Sequence, residues 1–426
     1  MMNPKYLSTI AELDNLVGLA SKERNAMETV SETFPFRSND YYLSLIDWKD
    51  RHDPLRRIVI PDPSELNGGG CLDPSCEKDF TRRPGLQHKY SQTGLLLLTD
   101  ICGGICRFCF RKRLFMNCER ETVKDVTEGI EYIREHTEIT NVLLTGGDPL
   151  TLPTRKLEAI LRQLRGIEHV NIIRIGSKML AYNPYRILND PDLRRVLSRY
   201  STPEKRIYLM AHFNHPRELT NVSIQAAEEL QKAGVIIVCQ TPVLNGVNSE
   251  PEIFTGLFRK LSFAGISPYY IFQCRPSIGN RFFQVPVEQS YEIIQKSWQA
   301  CSGLAKRARF VMSHATGKIE IVGKTAGRVF MRYHQSADPA NIGKFMVFRS
   351  NPVARWFDDY RHIQMGFESK MSWLFENGLD IVSEKIPFPE NSKAGFEGPP
   401  GFHLSERIGQ AAGNVHSELP PKGQYS

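Results

Sequence analysis

The chain has 426 residues, of which 41% are hydrophobic and 24% charged, a globular composition with room for one large barrel or two ordinary domains. Its 54 basic and 47 acidic residues leave a modest formal charge of +7 without long basic arms, which favours small anionic ligands over nucleic acid. No apolar run is long enough to span a membrane and no signal-peptide pattern follows Met1, so we expect a cytoplasmic protein without a membrane partner.

Residues 1–92 are predicted to form an N-terminal extension that is mostly helical, with an amphipathic stretch at Ile10–Ala20. From about Thr93, short apolar runs alternate with longer amphipathic ones. The short runs are nearly continuous in hydrophobicity, as expected for strands that are buried on both faces. They are Leu95–Thr99, Val142–Thr145, Ile172–Ile175, Ile207–Met210, Val235–Val238 and Tyr269–Phe272.

The segments between these runs have helical patterns, for example Arg155–Leu164 and Ser223–Ala233, and the second is followed by Gly234, which favours a helix end. Six repeats of strand and helix predict parallel βαβ units with right-handed crossovers, in a barrel or in an open doubly wound sheet. We assign residues 93–308 to this unit, residues 309–386 to a C-terminal segment, and residues 387–426 to a loosely ordered tail rich in Pro and Gly.

Polar residues follow the apolar runs at the points where the predicted strands end. In parallel sheets and barrels the functional site lies at the carboxyl ends of the strands, so we expect these residues to meet at one site. They are Thr99-Asp100, Gly146-Gly147-Asp148, Gly176-Ser177, His212, Gln240 and Cys274-Arg275.

Three of the nine cysteines, Cys102, Cys106 and Cys109, lie close together after the first predicted strand. Clustered cysteines in a cytoplasmic chain serve metals or redox chemistry more often than structural disulfides. Three thiolates suit a four-iron cluster with one iron left open, whereas zinc normally takes four ligands and a fourth is missing locally. A zinc site completed by His212 or His215, in a binding protein whose basic residues meet a partner, remains an alternative.

The spacing Cys-x-x-x-Cys-x-x-Cys, with Phe108 before the last cysteine, resembles the radical S-adenosylmethionine (SAM) superfamily. Further segments, in the same order over residues 40–335, resemble its lysine 2,3-aminomutase family. They are Leu72–Ser75, Pro84–Tyr90, Leu144–Leu150, Arg174–Ser177, His212–Pro216, Pro268–Cys274 and Gly317–Ile319. The resemblance implies a partial (β/α)6 TIM-type radical SAM barrel with N- and C-terminal extensions.

Members of this family move an amino group between neighbouring carbons of a small amino acid substrate. The resemblance therefore implies an isomerase that uses a [4Fe-4S] cluster on Cys102, Cys106 and Cys109, together with SAM and pyridoxal 5′-phosphate (PLP). It also implies a cellular reductant of the flavodoxin or ferredoxin type. Relatives place zinc at a subunit boundary, but no cysteine follows Cys301 here, so a homo-oligomer remains open.

Five residues match family positions around SAM. Gly146, Gly147 and Asp148 match the segment that holds the amino end of SAM, where glycines allow close backbone approach and a carboxylate accepts from an ammonium. Ser177 and His212 match positions near SAM.

Other residues match positions that bind the substrate and PLP. Arg111 matches the arginine that binds the α-carboxylate, and Lys89 and Gln240 match positions that contact PLP. Lys318 matches the lysine that bonds to PLP as a Schiff base, although the glycine run before it is shorter than in lysine-specific relatives. Lys324 is the rival for this role.

The largest departure from the lysine-specific pattern concerns the substrate side chain. Two aspartates hold the distal ammonium of lysine in those relatives, and Arg275 and Ser313 occupy their places here. An arginine keeps its charge and repels a lysine side chain, but it favours a distal carboxylate, as in glutamate. If Arg275 pairs with a local acid instead, for example Glu320, and does not face the substrate, this argument does not apply. We predict a 2,3-aminomutase with a non-lysine substrate; lysine, and a different radical reaction on the same fold, are the alternatives.

Overall fold

The computed structural model describes residues 3–116 and 121–363. The predicted tail at residues 387–426, and the last part of the predicted segment 309–386, lie outside the described residues. Among the described helices, none has both the length and the apolarity needed to cross a membrane.

The N-terminal extension combines short helices with a small sheet. Strands β1 (Tyr6–Leu7) and β2 (Ser38–Asn39) pair antiparallel. The helices are α1 (Ile10–Val17), α2 (Ser21–Thr33), α3 (Asp40–Leu43) and α4 (Pro54–Val59). Helix α1 begins at a capping box between Thr9 and Glu12 and is shorter than predicted, because Gly18 takes the left-handed conformation (φ 70°) and ends it.

Within the described residues, one twelve-stranded sheet follows chain order from β3 to β14. Its strands are β3 (Thr81–Arg83), β4 (Leu86–Tyr90), β5 (Thr93–Thr99), β6 (Asn141–Gly146), β7 (Ile172–Ser177), β8 (Ile207–His212), β9 (Ile236–Pro242), β10 (Ser267–Phe272), β11 (Arg309–Ser313), β12 (Gly317–Lys324), β13 (Arg328–Ser336) and β14 (Phe345–Arg349). Strands β5 to β11 are parallel, and the flanking pairs are antiparallel.

The crossovers between the parallel strands carry helices that pack their apolar faces on the sheet. They are α5 (Thr127–Glu135), α6 (Thr154–Arg165), α7 (Met179–Tyr182), α8 (Tyr185–Leu188), α9 (Pro191–Tyr200), α10 (Asn221–Lys232), α11 (Pro251–Phe263) and α12 (Val287–Gln299). The predicted helix that stops at Gly234 is α10, and Gly234 has φ 78°. Six strand–helix units form a partial (β/α)6 barrel, which confirms the predicted fold class.

The structure differs from the prediction in three places. Most of the six predicted strands continue further, so that Gly146, Ser177, His212 and Gln240 lie within strands near their carboxyl ends rather than after them. A seventh parallel strand, β11, lies just after the boundary predicted at residue 308 and pairs with β10, so the parallel part of the sheet extends into the predicted C-terminal segment. The sheet also continues past Gln335, where the sequence pattern stopped, into β14.

Strands β11 and β12 form an antiparallel hairpin that returns the chain to the carboxyl end of the barrel strands. Ser313 at the end of β11 pairs with Lys318 near the start of β12. The turn is tight, and a side chain on Gly317 would lie 2.3 Å from the carbonyl oxygen of Gln335. The hairpin therefore places Lys318 at the same end of the sheet as the predicted site.

Candidate active site

A cavity of about 330 Å³ lies at the carboxyl ends of the parallel strands. All fourteen residues that the sequence assigned to a site line it, whereas Lys324 and His215 do not. The fourteen are Lys89, Cys102, Cys106, Cys109, Arg111, Gly146, Gly147, Asp148, Ser177, His212, Gln240, Arg275, Ser313 and Lys318.

The cavity has two ends, each named here by its residues. The cysteine end contains Cys102, Cys106, Cys109, Asp148, Ser177, Lys178, Tyr182 and His212. The lysine end contains Lys89, Arg174, Tyr270, Phe272, Arg275, Ser313 and Lys318.

The N-terminal extension holds the loop that carries the three cysteines. The backbone N–H of Ile105 donates to the carbonyl of Arg37 (2.9 Å), and that of Arg107 donates to Ile58 (2.8 Å). The fully buried guanidinium of Arg107 donates to both carboxylate oxygens of Glu65, at 2.8 and 2.9 Å. Because these bonds join segments far apart in sequence, the loop has a fixed shape before any ligand binds.

Two glycines let the loop pack directly against α7. A side chain on Gly103 would lie 2.5 Å from Sδ of Met179, and one on Gly104 would lie 3.0 Å from the ring of Tyr182. The loop therefore has no room for larger residues at these positions.

The thiols of the loop fit a cluster better than a single ion. Within residues 3–116 and 121–363, no three His, Cys, Asp or Glu side chains converge on one metal-ion position. His215 is used elsewhere, because its Nδ1 accepts from the backbone N–H of Arg217. The geometry therefore gives no support to the zinc alternative. Three cavity-lining cysteines on a fixed loop match the donor set of a four-iron cluster, whose irons are spread over a larger volume.

Burial keeps the free thiols protonated at neutral pH. It raises the pKa of Cys106 to about 12, and it also raises the pKa values of Cys102 and Cys109. A metal that binds these side chains must therefore displace their protons.

Gly146 and Gly147 bring the end of β6 against the loop that leads to the cysteines. Gly146 has φ 121°, and a side chain on Gly147 would lie 2.4 Å from the carbonyl oxygen of Ile101. The backbone N–H of Asp148 donates to that same carbonyl (2.8 Å). In this structure the glycines thus allow contact between two protein segments.

The carboxylate of Asp148 joins its own turn to the end of β7. One oxygen accepts from the backbone N–H of Leu150 (3.0 Å), and the other accepts from the Ser177 hydroxyl (2.9 Å) and the backbone N–H of Lys178 (2.8 Å). Burial raises the pKa of Asp148 to about 6 despite these bonds. Since a carboxylate has about four lone-pair positions, roughly one is left for a ligand.

His212 lies beside a buried ion pair that the sequence did not reveal. Lys178 donates to Glu218 (2.6 Å) and to Asn214 (2.8 Å). Burial lowers the pKa of His212 well below its ordinary value, and the nearby Lys178 acts in the same direction. His212 is therefore neutral, and its Nε2 lies 3.1 Å from the amide nitrogen of Asn214.

At the lysine end, Lys318 presents an amine of low basicity. Burial lowers its pKa to about 7, and the charges of Arg174, Arg275 and Lys89 act in the same direction. Its Nζ lies 4.2 Å from the ring centroid of Tyr270. A large fraction of Lys318 is therefore the neutral, nucleophilic amine at neutral pH.

Lys324 has the opposite environment. It lies outside the cavity and forms ion pairs with Glu292 (2.6 Å) and Glu288 (3.1 Å). Although burial acts to lower it, these carboxylates raise the pKa of Lys324. An ammonium held in this way is a poor nucleophile.

Lys89 lies at the same end as Lys318. Its Nζ donates to the carbonyl of His314 (2.7 Å) and lies 4.7 Å from the ring centroid of Phe80. Burial lowers the pKa of Lys89 to about 8, and Arg275 contributes in the same direction. The lysine end of the cavity thus contains four basic side chains, which is a suitable environment for an anion such as a phosphate. They are Lys89, Arg174, Arg275 and Lys318.

Arg111 lies between the two ends, and some of its N–H groups already donate to other side chains of the protein. Its guanidinium donates to both carboxylate oxygens of Glu77 (2.7 and 3.0 Å) and to the Thr145 hydroxyl (3.0 Å). These bonds use three of its five N–H groups, so two remain for a ligand. Burial opposes the charge of Glu77, but Arg111 and Arg113 hold its pKa below the usual range.

Arg275 forms no ion pair with an acid of the described residues, although the charge of Glu77 acts on it. Its guanidinium carbon lies 3.6 Å from the ring centroid of Phe110, and its Nη1 is buried without a hydrogen-bond partner among the described residues. The alternative pairing with Glu320 is wrong, because Glu320 binds Arg309 (3.0 Å) and Arg332 (2.8 Å). Burial lowers the pKa of Arg275 to about 10, so it is still charged at neutral pH.

The cavity wall carries an excess of positive charge. Six lysine and arginine side chains line it, and only two carboxylates do so among the described residues. The cations are Lys89, Arg111, Arg174, Lys178, Arg275 and Lys318, and the acids are Glu77 and Asp148. A cavity with this balance suits ligands that carry several negative groups.

Sequence reasoning missed several residues of this wall, chiefly Glu77, Phe110, Lys178 and Tyr182. Three of them had a detectable signal: Glu77 lies two residues after the matched segment that ends at Ser75, Phe110 directly follows Cys109, and Lys178 directly follows Ser177. Tyr182 gave none, since only the fold brings it to the cysteines.

Comparisons with known proteins agree with this site. The model of the Radical SAM superfamily matches residues 96–254. A protein of Aquifex aeolicus (strain VF5) with the provisional name L-lysine 2,3-aminomutase is 53% identical over 369 residues, covering 86% of this chain and 99% of that protein.

Two further relatives differ in the substrate that their names give. The L-lysine 2,3-aminomutase of Fusobacterium nucleatum is 37% identical, and the match covers 70% of each chain. The glutamate 2,3-aminomutase of Clostridioides difficile is 35% identical, again over 70% of each chain. These two relatives are about equally identical to this chain, although one is named for lysine and the other for glutamate. Their names therefore do not distinguish the substrate, which must be inferred from the cavity.

Proposed function

Because the chain belongs to the lysine 2,3-aminomutase family of radical SAM isomerases, we propose that it moves the α-amino group of glutamate, or of a similar amino acid with a side-chain carboxylate, to the β-carbon. The observation that carries this proposal is the guanidinium of Arg275, which lines the cavity and has a buried nitrogen without a hydrogen-bond partner among the described residues. A buried donor without a partner is costly, and a ligand carboxylate would satisfy it.

The donor set fits the cofactors of the family. Cys102, Cys106 and Cys109 would hold the [4Fe-4S] cluster, Asp148 and its loop would contact SAM, and Lys318 would bond to PLP. When bound, the cluster and SAM supply an organic radical, and PLP carries the migrating nitrogen. A reductant must supply the electron, and the structure does not identify it.

The choice of Lys318 for PLP rests on its environment. Its amine has a pKa of about 7 inside the cavity, whereas Lys324 lies outside it in ion pairs. Only a neutral amine attacks a carbonyl, so Lys318 is the competent nucleophile near neutral pH. Lys89 supplies a further positive charge for the phosphate group, as a point charge rather than a fork.

Two arginines would hold the two carboxylates of the substrate. Arg111 has two N–H groups left after Glu77 and Thr145, and Glu77 keeps its guanidinium in one orientation. Arg275 lines the cavity, and the ring of Phe110 packs against its guanidinium. Fixing both ends of the substrate orients the carbons between them.

The arrangement also discriminates against lysine. A lysine side chain would place an ammonium near the charged guanidinium of Arg275, and the nearby carboxylate of Glu77 is already bound by Arg111 and Arg113. Like charges in a closed site cost several kcal/mol, which corresponds to discrimination on the order of a hundredfold or more. Ser313, opposite Lys318 in the hairpin, contributes no charge to offset this.

Reversing the charge of Arg275 tests the substrate assignment. We expect Arg275→Asp to lower kcat/KM for glutamate by on the order of a hundredfold and to gain activity on lysine, because the local charge changes sign. The control is Arg309→Asp, which changes an exposed arginine outside the cavity and should leave the preference unaltered. An unchanged preference in Arg275→Asp would show that this side chain does not contact the substrate.

A further inference from the structure

The side chain of Tyr182 contacts one of the three cysteines of the loop. Its hydroxyl oxygen lies 3.0 Å from Sγ of Cys106. The residue is 1% exposed, and within the described part of the chain its hydroxyl has no other hydrogen-bond partner. A buried hydroxyl normally has a partner, and here that partner is a sulfur.

We infer that Tyr182 donates a hydrogen bond to the sulfur of Cys106 when Cys106 binds the cluster, and that this bond raises the reduction potential of the cluster. The inference rests on the proposed cluster site. Tyr182 would be a positioning residue, since it acts through Cys106 and does not contact the reacting atoms.

The direction of the hydrogen bond follows from the chemistry of the ligand. In the free chain either atom can donate. A cysteine that binds iron is a thiolate and has no proton, so only the phenol can then donate. The phenol of tyrosine, with an ordinary pKa of about 10, has its proton at neutral pH.

The protein holds the ring of Tyr182 in place on several sides. The ring of Tyr42 packs edge-on against it, with centroids 4.6 Å apart. The side-chain amide of Asn39 donates to the carbonyls of both Tyr182 (2.9 Å) and Gly103 (3.2 Å), which ties α7 to the cysteine loop. Gly104 packs on the ring itself. The hydroxyl therefore has a fixed position relative to Cys106.

The effect on the potential has a definite sign. Reduction adds negative charge to the cluster and its sulfurs, so a donated hydrogen bond stabilises the reduced form more than the oxidised form. We expect the loss of this bond to change the ratio of reduced to oxidised cluster about tenfold at a fixed solution potential. For a one-electron couple this equals a shift of about 59 mV.

The test is a potentiometric titration of the anaerobically reconstituted full chain, followed by electron paramagnetic resonance. In Tyr182→Phe, we expect a midpoint about 59 mV more negative, with the iron content unchanged. The matched control is Tyr42→Phe, which loses a buried hydroxyl that donates to Glu218 (2.8 Å) and not to a cysteine. Its midpoint should equal that of the wild type.

A second variant makes the test independent of how well Tyr182→Phe binds iron. Replacing Tyr182 with 3-fluorotyrosine gives a more acidic phenol and a stronger donor, so the midpoint should move in the positive direction. Equal midpoints in the wild type and both Tyr182 variants would overturn the inference while the cluster assignment stands. An equal shift in Tyr42→Phe would also overturn it. A wild type that binds no iron would instead contradict the proposed function itself.

Discussion

The two ends of the cavity differ in how many hydrogen-bond partners their buried charged groups have. At the cysteine end, Asp148 accepts three hydrogen bonds, and Lys178 is paired with Glu218 and Asn214. At the lysine end, Arg275 has a buried nitrogen without a hydrogen-bond partner in the part of the chain that the structure describes, and burial together with like charges lowers the pKa of Lys318.

This difference indicates what each end is built to do. Fully paired groups fix a shape, and the cysteine end has the fixed loop that a metal cluster requires. Unpaired cations raise the energy of the ligand-free protein, and an anionic ligand lowers it again. This difference supports the proposed function, in which ligand charge decides specificity at the lysine end.

The largest expected effect is the loss of the cluster. We expect Cys106→Ala to lower bound iron and sulfide to background, because one of three ligands is missing. Iron and sulfide analysis, with the visible absorbance spectrum, measures this. Cys301→Ala is the control, since Cys301 is buried away from the cavity and should not affect iron content. An intact cluster spectrum in Cys106→Ala would contradict the assignment of the cluster to the cysteine end.

The second effect concerns the covalent bond to PLP at the lysine end. Lys318→Ala should lose the absorbance of the Schiff base and all formation of β-amino acid, because no other amine is proposed for that bond. Lys324→Ala should retain both the Schiff-base absorbance and the formation of β-amino acid, since it only removes ion pairs with Glu288 and Glu292 outside the cavity. If the absorbance persists in Lys318→Ala and disappears in Lys324→Ala, the roles are exchanged.

A third effect follows from the low pKa of Lys318. The neutral amine attacks PLP, so the initial rate of Schiff-base formation should rise with pH and reach half its maximum near pH 7. An ordinary lysine would reach it near pH 10.4. Arg275→Gln removes a neighbouring positive charge, which should raise the pKa and move the midpoint to higher pH. Stopped-flow absorbance measures the rate, and Arg309→Gln is the control with an unchanged midpoint. A wild-type midpoint near pH 10 would mean that the amine is not desolvated.

The smallest effects concern stability, and they should have opposite signs at the two ends. Ser177→Ala removes a hydrogen bond to Asp148 and should lower the free energy of unfolding by about 1 kcal/mol. Arg275→Met removes a charge without an acidic partner and should raise it by roughly 1 kcal/mol. Denaturant unfolding of the cofactor-free protein measures both. A decrease in both variants would contradict the view that Arg275 costs stability in the ligand-free protein.

The sequence was sufficient for the barrel and for fourteen of the residues that line its cavity. Nearly continuous apolar runs predicted strands buried on both faces, and six such runs became β5 to β10. Polar residues near the ends of parallel strands necessarily meet at one edge of a sheet, so their positions in the chain were enough to place them together.

The rest depended on contacts between distant segments. The choice between Lys318 and Lys324 follows from the hairpin that pairs Ser313 with Lys318. Glu320 does not pair with Arg275, because it forms ion pairs with two other arginines. Neither the register of a hairpin nor the partner of a surface acid can be read from residue spacing. Strand β11 was missed because the apolar pattern of Arg309–Ser313 is too short to be distinguished from a loop.

The most direct test of the account is the product formed by the wild-type protein. The anaerobically reconstituted chain would be incubated with SAM, PLP, a reductant and an equimolar mixture of isotopically labelled glutamate and lysine, and the β-amino acids identified by mass spectrometry. The account predicts β-glutamate in large excess over β-lysine, together with SAM-dependent turnover. Formation of β-lysine alone would contradict the role of Arg275, and cleavage of SAM to 5′-deoxyadenosine without any β-amino acid from either substrate would contradict the assignment of glutamate.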